Sequence, residues 1–547
     1  VKRLYLYGYR FGEVLLPKLD PVKKDLQISE PREVDLNFRP PVQVSLGCNV
    51  QGVALPHADP HDPKTTRIGV MKRAGRAMPS SKRVELGKLQ AFVRKYVRGH
   101  LPRVSLSQDL SVETWLENCK GYSAARKQEL REKWAAFTCI DDPQQKYKHV
   151  KAFMKDEVYT EFKHPRGIYS RSDEFKCLIG PIAKVMESIV YSDHHFIKHV
   201  PVAERAKYIS DLLYRPGVIY GATDYTSYEA QFVKEMMEVC EFELYSYLTE
   251  DLPEHPEFIR LCDQVLAGEN RIKFRDFVVR ILATRMSGEM VTSLGNGFSN
   301  LMFMLYECEK LGNTHTEGVV EGDDGLFVTN GPFPTTEDFA ELGLIIKIEL
   351  HTELNTASFC GQVFDPFDCV NVCDVRKVLA TFGWTSRQYA RSSNKKLKTL
   401  LRSKALSLAY QYPGCPVICA LAEYGLRVTK SYSVKNVLYT NIKLSSWERE
   451  LMIEAADAGV PSVFRIPPIR TRLLVERLYG VTVETQVHLE KYLNSLDSLV
   501  ELEIPLLVDS MPSVWTQYYT QYNAWTLPNS KLLDYPSGLQ RELSEPT

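Results

Sequence analysis

Apolar positions recur along this chain with the two periods that separate helices from strands, and the two kinds of stretch alternate. From Val84 to about Ala136 the recurrence is helical: Leu89, Phe92, Val93 and Val97 share one face, and Ser111 is placed to cap a turn ahead of Trp115 and Leu116. Val218 to Thr223 is a short apolar run that predicts a strand, and Phe232 to Leu248 predicts a helix. Leu294, Phe298, Leu301 and Leu305 mark the apolar face of another helix. Val319 to Val328 predicts a hairpin folded about a Gly-Asp-Asp-Gly tip, followed by a capped helix at Thr335–Leu342 and an alternating strand at Leu344–Leu350. Beyond Leu397 the pattern is mostly helical to about Leu499, with turn-rich and aromatic residues near the end. Residues 1–80, rich in Pro and short β-like runs, read as an extended arm. This order of strands and helices predicts an α+β fold, an antiparallel sheet backed by helices.

Composition narrows the class. The chain has 547 residues, enough for three or four domain-sized units, and 44% hydrophobic with 25% charged residues indicates a folded globular protein. No run of about 18 apolar residues occurs, so no membrane span is expected. The start, Val-Lys-Arg without an apolar h-region, predicts no secretory signal and suggests a processed product or an excised fragment. Twelve scattered cysteines fit a reducing setting better than a disulfide framework. Cys369/Cys373 and Cys415/Cys419 offer either zinc ligands or buried thiols, and the wide spacing favours thiols. His57 and His61 with Asp59 and Asp62 offer a metal set or, because Pro56, Pro60 and Pro63 interleave them, a rigid extended loop.

Net charge is zero, but its distribution is uneven. Between Lys64 and Arg103 twelve basic residues face Glu85 as the one acidic residue, and Arg376 to Lys404 is a second basic stretch. Each is either a solvated helix face or a wall for a phosphate backbone.

The acidic residues sharpen the choice. Asp224 follows the Val218–Thr223 strand, and Asp323 and Asp324 sit at the hairpin tip. Three carboxylates meeting at one point can hold two magnesium ions about 3.5–4 Å apart, the arrangement that nucleotidyl transfer requires. Gly322 and Gly325 leave the turn free to take positive φ. Gly-Asp-Asp alone is only a turn signal. Between the acidic elements lies Ser287-Gly288-Glu289-Met290-Val291-Thr292-Ser293-Leu294-Gly295-Asn296. Thr292 and Asn296 are four apart on one helix face, opposite Leu294 and Phe298, where they can hydrogen-bond a ribose 2′-hydroxyl. Ser287-Gly288 predicts a flexible loop before that helix; an ordinary capped helix is the alternative.

In this order the residues resemble the palm of RNA-dependent RNA polymerases of positive-strand RNA viruses. Asp224-Tyr225-Thr226-Ser227-Tyr228-Glu229 resembles motif A, Arg285 through Asn296 motif B, and Glu321-Gly322-Asp323-Asp324 motif C. The motif B wording is closest to tombusvirus-like polymerases. Lys155, Lys163 and Pro165-Arg166-Gly167-Ile168-Tyr169-Ser170-Arg171 resemble motif F, Lys347 the motif D lysine, and Phe359-Cys360-Gly361-Gln362 motif E.

The resemblance implies a right-hand polymerase. Its arm (1–80) would bridge fingers and thumb, with fingers at 81–217 and 251–279. The palm would hold 218–250 and 280–375, and a helical thumb with the C-terminal region 376–547. It implies metal binding by Asp224, Asp323 and Asp324, and a proton from Lys347 to the leaving pyrophosphate. Nucleotide contacts would come from Lys155, Lys163, Arg166, Arg171, Glu229, Ser287, Gly288, Thr292 and Asn296. The cofactor would be Mg²⁺, with Mn²⁺ as substitute, and the substrates NTPs, an RNA template and the product duplex. Other viral replication proteins or a membrane-bound partner would hold the chain at membrane-associated complexes in the host cytoplasm. One position departs from the family: Glu229 stands where an Asp usually reads the ribose 2′-hydroxyl with the motif B asparagine. A reverse transcriptase and a catalytically silent RNA-binding scaffold are the competing readings. The first would carry an aromatic residue before its Asp-Asp pair, and the second would show lost acidic positions.

Overall fold

A computed structural model describes residues 5–7, 9–10, 20–29, 41–53, 57, 59–137, 142–159, 163–435, 446–511 and 523–524. Its centre is a four-stranded antiparallel sheet in the order Thr316–Glu321, Asp324–Thr329, Tyr220–Tyr225, Ile346–His351. Successive side chains enter opposite layers. Val319, Leu326, Val328, Tyr220 and Ala222 cluster with Ile209 and Leu213 of the helix Arg205–Leu213. Val320, Phe327 and Tyr225 cluster with Phe298, Leu301 and Met302 of the helix Thr292–Lys310. Both faces are covered over the inner strands, so Tyr220–Tyr225 and Asp324–Thr329 are buried along most of their length, while Ile346–His351 at the edge alternates.

Most other local expectations hold with shifted bounds, but the extended reading of residues 1–80 is corrected by the helix Pro63–Lys72, and much of that range lies outside the described residues. The hairpin spans Thr316–Thr329, and Thr335 closes a capping box with Asp338 on the helix Thr336–Glu341. The helical stretch from Val84 divides into Arg83–His100, Val112–Asn118 and Ala124–Ala135, the last two capped by Ser111 and Ser123. The expected helix Phe232–Leu248 is corrected: it is two helices, Lys234–Val239 and Glu241–Thr249, broken at Cys240 (φ −117°, ψ −85°). Both Cys240 and Glu241 are fully buried, so the break lies inside the core where periodicity alone cannot reveal it.

A five-stranded sheet joins distant segments in the order Gln27–Ser29, Val278–Leu282, Glu269–Lys273, His149–Met154, Gly167–Ser170. Only the Glu269–Lys273 and His149–Met154 pair is parallel. The N-terminal segments reach two places at once. Gln27–Ser29 extends this sheet, while Pro41–Ser45 pairs with Trp384–Ser386. Leu46, Cys48, Val50 and Val53 then pack among the helices Asn394–Gln411 and Ile418–Val428.

The candidate histidine and cysteine sets resolve as structural. His57 pairs with Asp156, and Gln43 Nε2 donates to the same carboxylate at 2.8 Å. Asp62 caps the helix Pro63–Lys72, accepting from the Thr65 N–H at 2.8 Å. Cys373, Cys415 and Cys419 are buried thiols, and burial raises all three pKa values. No helix among the described residues is long and apolar enough to cross a membrane.

Candidate active site

The sheet register assembles the acidic residues. Gly325 lies opposite Thr223, so Asp324 comes beside Asp224 one step on, and Lys347 lies directly opposite Asp224 on the other side. Residues opposite one another in a ladder project to the same face. Asp324, Asp224 and Lys347 thus form a row across three strands, with Asp323 on the turn at its end. Gly322 takes φ 62°, as this turn requires. Gly325 has a different role from the one expected. It does not have positive φ; a Cβ there would lie 2.6 Å from Thr223 Oγ1 and 2.5 Å from the Phe327 ring. The bare backbone lets the two strands close beside the row.

Neighbouring helices pin the turn. Asn300 Nδ2, on Thr292–Lys310, donates to the carbonyls of Gly322 at 3.1 Å and Asp324 at 3.0 Å. Arg205 Nη1 holds Glu321 at 2.6 Å. Burial raises the Asp323 pKa and the nearby Asp224 charge adds to it, while Arg73 opposes the shift. Burial, then Asp323, Asp224 and Glu321, push Asp324 up to about 7. These buried acids repel one another. That is the donor set a magnesium ion, which prefers hard oxygen ligands, would fit.

Cationic groups surround the cluster. Arg73 and Arg166 both sense the Asp323 charge. Arg73 makes a two-pronged pair with Glu229, Nε to Oε1 at 2.8 Å and Nη2 to Oε2 at 3.1 Å. Arg166 pairs the same way with Glu157, at 2.9 and 2.7 Å, and Lys155 reaches Glu157 at 3.2 Å. Burial opposes ionisation of Glu157, yet the Arg166 hydrogen bonds and charge hold it at about 2. Arg166 and Lys155 remain about two-fifths exposed, and Lys163 is exposed nearby. Lys347 is exposed and pairs with Glu349.

Arg171 is corrected. Its guanidinium is fully buried and bonded to Glu289, the Tyr147 and Val265 carbonyls and Asn270. With its nitrogens so engaged it anchors the five-stranded sheet to the 285–291 segment and is not available to a triphosphate.

That segment is likewise docked rather than flexible. Ser287 Oγ donates to the Gly167 carbonyl at 2.9 Å, and the Gly288 N–H donates to the Tyr169 carbonyl at 2.8 Å. A Cβ on Gly288 would lie 2.6 Å from that same oxygen, so glycine here permits backbone contact. Thr292 Oγ1 donates to the Met286 carbonyl at 3.0 Å and closes the turn into the helix. Asn296 is held by its side chain: Arg285 Nε donates to its Oδ1 at 3.1 Å. Arg285 is itself buried against Glu241 and over the Phe232 ring. The Arg285 N–H also donates to the Glu229 carbonyl at 2.9 Å, so Glu229 and Asn296 are linked through Arg285.

Sequence reasoning missed Arg73, Arg285, Glu241, Asn300, Glu157 and Arg205. For Asn300 a signal existed, an amide amid the apolar stripe four residues after Asn296. For Arg73 there was none beyond its place in a basic stretch.

Residues 180–412 match the family model for viral RNA-dependent RNA polymerase. The chain is also similar to the RNA-directed RNA polymerase of Atlantic halibut nervous necrosis virus. The two are 24% identical over 270 residues, which cover 44% of this chain and 26% of that protein. The matched part is thus about a quarter of the relative's length.

Proposed function

We propose that this chain is a viral RNA-dependent RNA polymerase that copies a positive-strand genome from NTPs by two-metal nucleotidyl transfer. The observation that carries the reading is the row Asp324–Asp224–Lys347 with Asp323 at its end, inside the matched region and faced by Arg73 and Arg166. Magnesium held by Asp224, Asp323 and Asp324 would activate the primer 3′-hydroxyl and neutralise triphosphate charge. Arg166, Lys155 and Lys163 approach from the strand pair His149–Met154 and Gly167–Ser170, where they can balance the charge on the transferring phosphoryl group. Arg166 would exchange Glu157 for phosphate oxygens. The new bond joins the 3′-oxygen to the α-phosphorus as the bond to the β-phosphate breaks. Lys347, opposite Asp224 in the ladder, would give a proton to the leaving pyrophosphate.

Sugar selection falls to Glu229 and Asn296. Arg73 fixes Glu229 and Arg285 fixes the Asn296 carbonyl oxygen, so the Asn296 amide N–H is left to read a 2′-hydroxyl. The longer Glu229 is thereby held by a partner and does not swing freely. Arg171, Ser287, Gly288 and Thr292 act behind these contacts as positioning residues.

The right-hand layout belongs to the same reading, with fingers carrying the five-stranded sheet, a palm on the four-stranded sheet and a helical thumb. So do the tombusvirus-like subgroup, which rests on the wording of residues 285–296, and attachment to host membranes through viral partners. Purified chain with a homopolymeric RNA template, labelled NTPs and Mg²⁺ tests the activity. Incorporation is expected for the parent and not for Asp323→Ala; incorporation that survives the substitution contradicts the proposal. Preference for dNTPs would return the reverse transcriptase reading, and RNA binding without incorporation the scaffold reading.

A further inference from the structure

Away from the carboxylate row, the loop after the helix Asp173–Val190 lies along the outer edge of the strand Thr316–Glu321. The Val320 N–H donates to the His195 carbonyl at 2.8 Å, and Phe196 bridges to Val320. There Asp193, His194 and His195 each offer a ligand atom within 4.8 Å of the others. Glu317 comes from the strand, its Oε1 3.0 Å from His194 Nε2 and 3.3 Å from His195 Nε2.

His195 carries the inference. Its Nδ1 lies 2.6 Å from Asp193 Oδ1 while its Nε2 faces Glu317. A neutral imidazole has one N–H, so it cannot donate to carboxylates at both nitrogens. With Nδ1–H donated to Asp193, Nε2 presents its lone pair towards Glu317 at 3.3 Å, where a metal ion would be bound by both. A metal satisfies every group at once. His195 would donate Nδ1–H to Asp193 and offer Nε2 to the ion, the orientation that a second-shell carboxylate imposes on a metal-bound histidine. Asp193 is in turn fixed by the Tyr96 hydroxyl at 3.1 Å, and Glu317 by the Gly318 N–H at 3.0 Å. Glu317 Oε1 stands 3.0 and 3.3 Å from the two imidazole nitrogens, near the roughly 3.3–3.4 Å that zinc bonds of about 2.0–2.1 Å put between tetrahedral ligands. A cavity of about 480 Å³, lined also by His100, opens beside the group and leaves room for a further ligand.

We infer that His194, His195 and Glu317, with Asp193 orienting His195, form a structural site for a divalent transition metal of the zinc class. Imidazole ligands exclude magnesium as the natural occupant. The ion would tie the helix Arg83–His100, through Tyr96 and Asp193, to the strand that leads into the Gly322–Asp323 turn. The site shares no residue with the carboxylate row and does not depend on the proposed activity.

The test is zinc binding by the chelator-stripped full chain carrying Asp224→Asn and Asp323→Asn, in excess Mg²⁺, so that the acidic cluster does not compete. One equivalent of zinc is expected, with a rise in Tm. Cobalt in its place should give the visible absorption of a site with nitrogen ligands. His194 is about half exposed, so His194→Gln should keep the parent's circular dichroism while zinc affinity falls at least tenfold. Glu317→Gln should act likewise. Failure of the parent to bind zinc, or equal affinity in parent and His194→Gln, would overturn the site.

Discussion

Two arginines of the same sequence neighbourhood, Arg166 and Arg171, have opposite fates because one is exposed and the other is not. Replacing Arg171 leaves Glu289 buried without its partner, which costs about 3–5 kcal/mol. Arg171→Ala should therefore lower Tm and the urea midpoint sharply. Arg166→Gln should leave Tm nearly unchanged and raise the KM for NTP. Equal effects of both on stability would contradict these assignments. Arg73→Gln should release Glu229 and lower the NTP-over-dNTP preference in kcat/KM several-fold. Unchanged selectivity in single-nucleotide incorporation would remove Arg73 from that role. Asp324 brings a pH dependence with a definite sign. Its folded pKa, about 7, lies above the ordinary value of 3.8. For this group the metal-free fold is most stable below pH 4 and loses stability as pH rises through 7. In the proposed site, metal would have to displace that proton. The Tm gain on adding Mg²⁺ should thus increase between pH 5.5 and 8, and Asp324→Asn should flatten the increase.

Among elements, those specified by neighbouring residues were legible in the sequence. The Gly322 turn, the Thr335 cap and the Leu294–Leu305 stripe are each written within a few residues. So was the central sheet, because its inner strands are buried on both faces and its edge strand Ile346–His351 alternates. The Cys240 break was not, since buried residues on either side continue the helical pattern. Nor were the pairs that shape the site: Arg73 with Glu229, Arg171 with Glu289 and Arg285 with Glu241 join residues far apart in the chain. Any of many arginines and carboxylates would satisfy such a pattern until the fold selects one. Ser287-Gly288 illustrates the same limit, for glycine signals flexibility and close backbone contact alike. Asn300 joins helix to hairpin, and Asn300→Ala would leave two carbonyls at the turn without their donor. A loss of about 1–3 kcal/mol is expected. Hydrogen exchange should show faster opening at Gly322–Gly325 while the far end of the hairpin is unchanged.

At the scale of the molecule, the N-terminal segments join the five-stranded sheet to the C-terminal helices. The 285–291 segment fastens that sheet to the carboxylate row. Groups that would meet the triphosphate and groups that would hold the metal are therefore fixed to one another through Arg171, Ser287 and Arg285, not through loops alone. On the proposed function, the row across the sheet performs the chemistry. Single-turnover incorporation at saturating NTP, measured against Mg²⁺ concentration for the parent, Asp224→Asn and Lys347→Gln, tests it most directly. Asp224→Asn should lose at least about a thousandfold in rate while RNA affinity is retained, and Lys347→Gln should lose about 10²–10⁴-fold without a change in Mg²⁺ dependence. An Asp224→Asn chain that extends RNA at the parent's rate and with the parent's Mg²⁺ dependence would contradict the account.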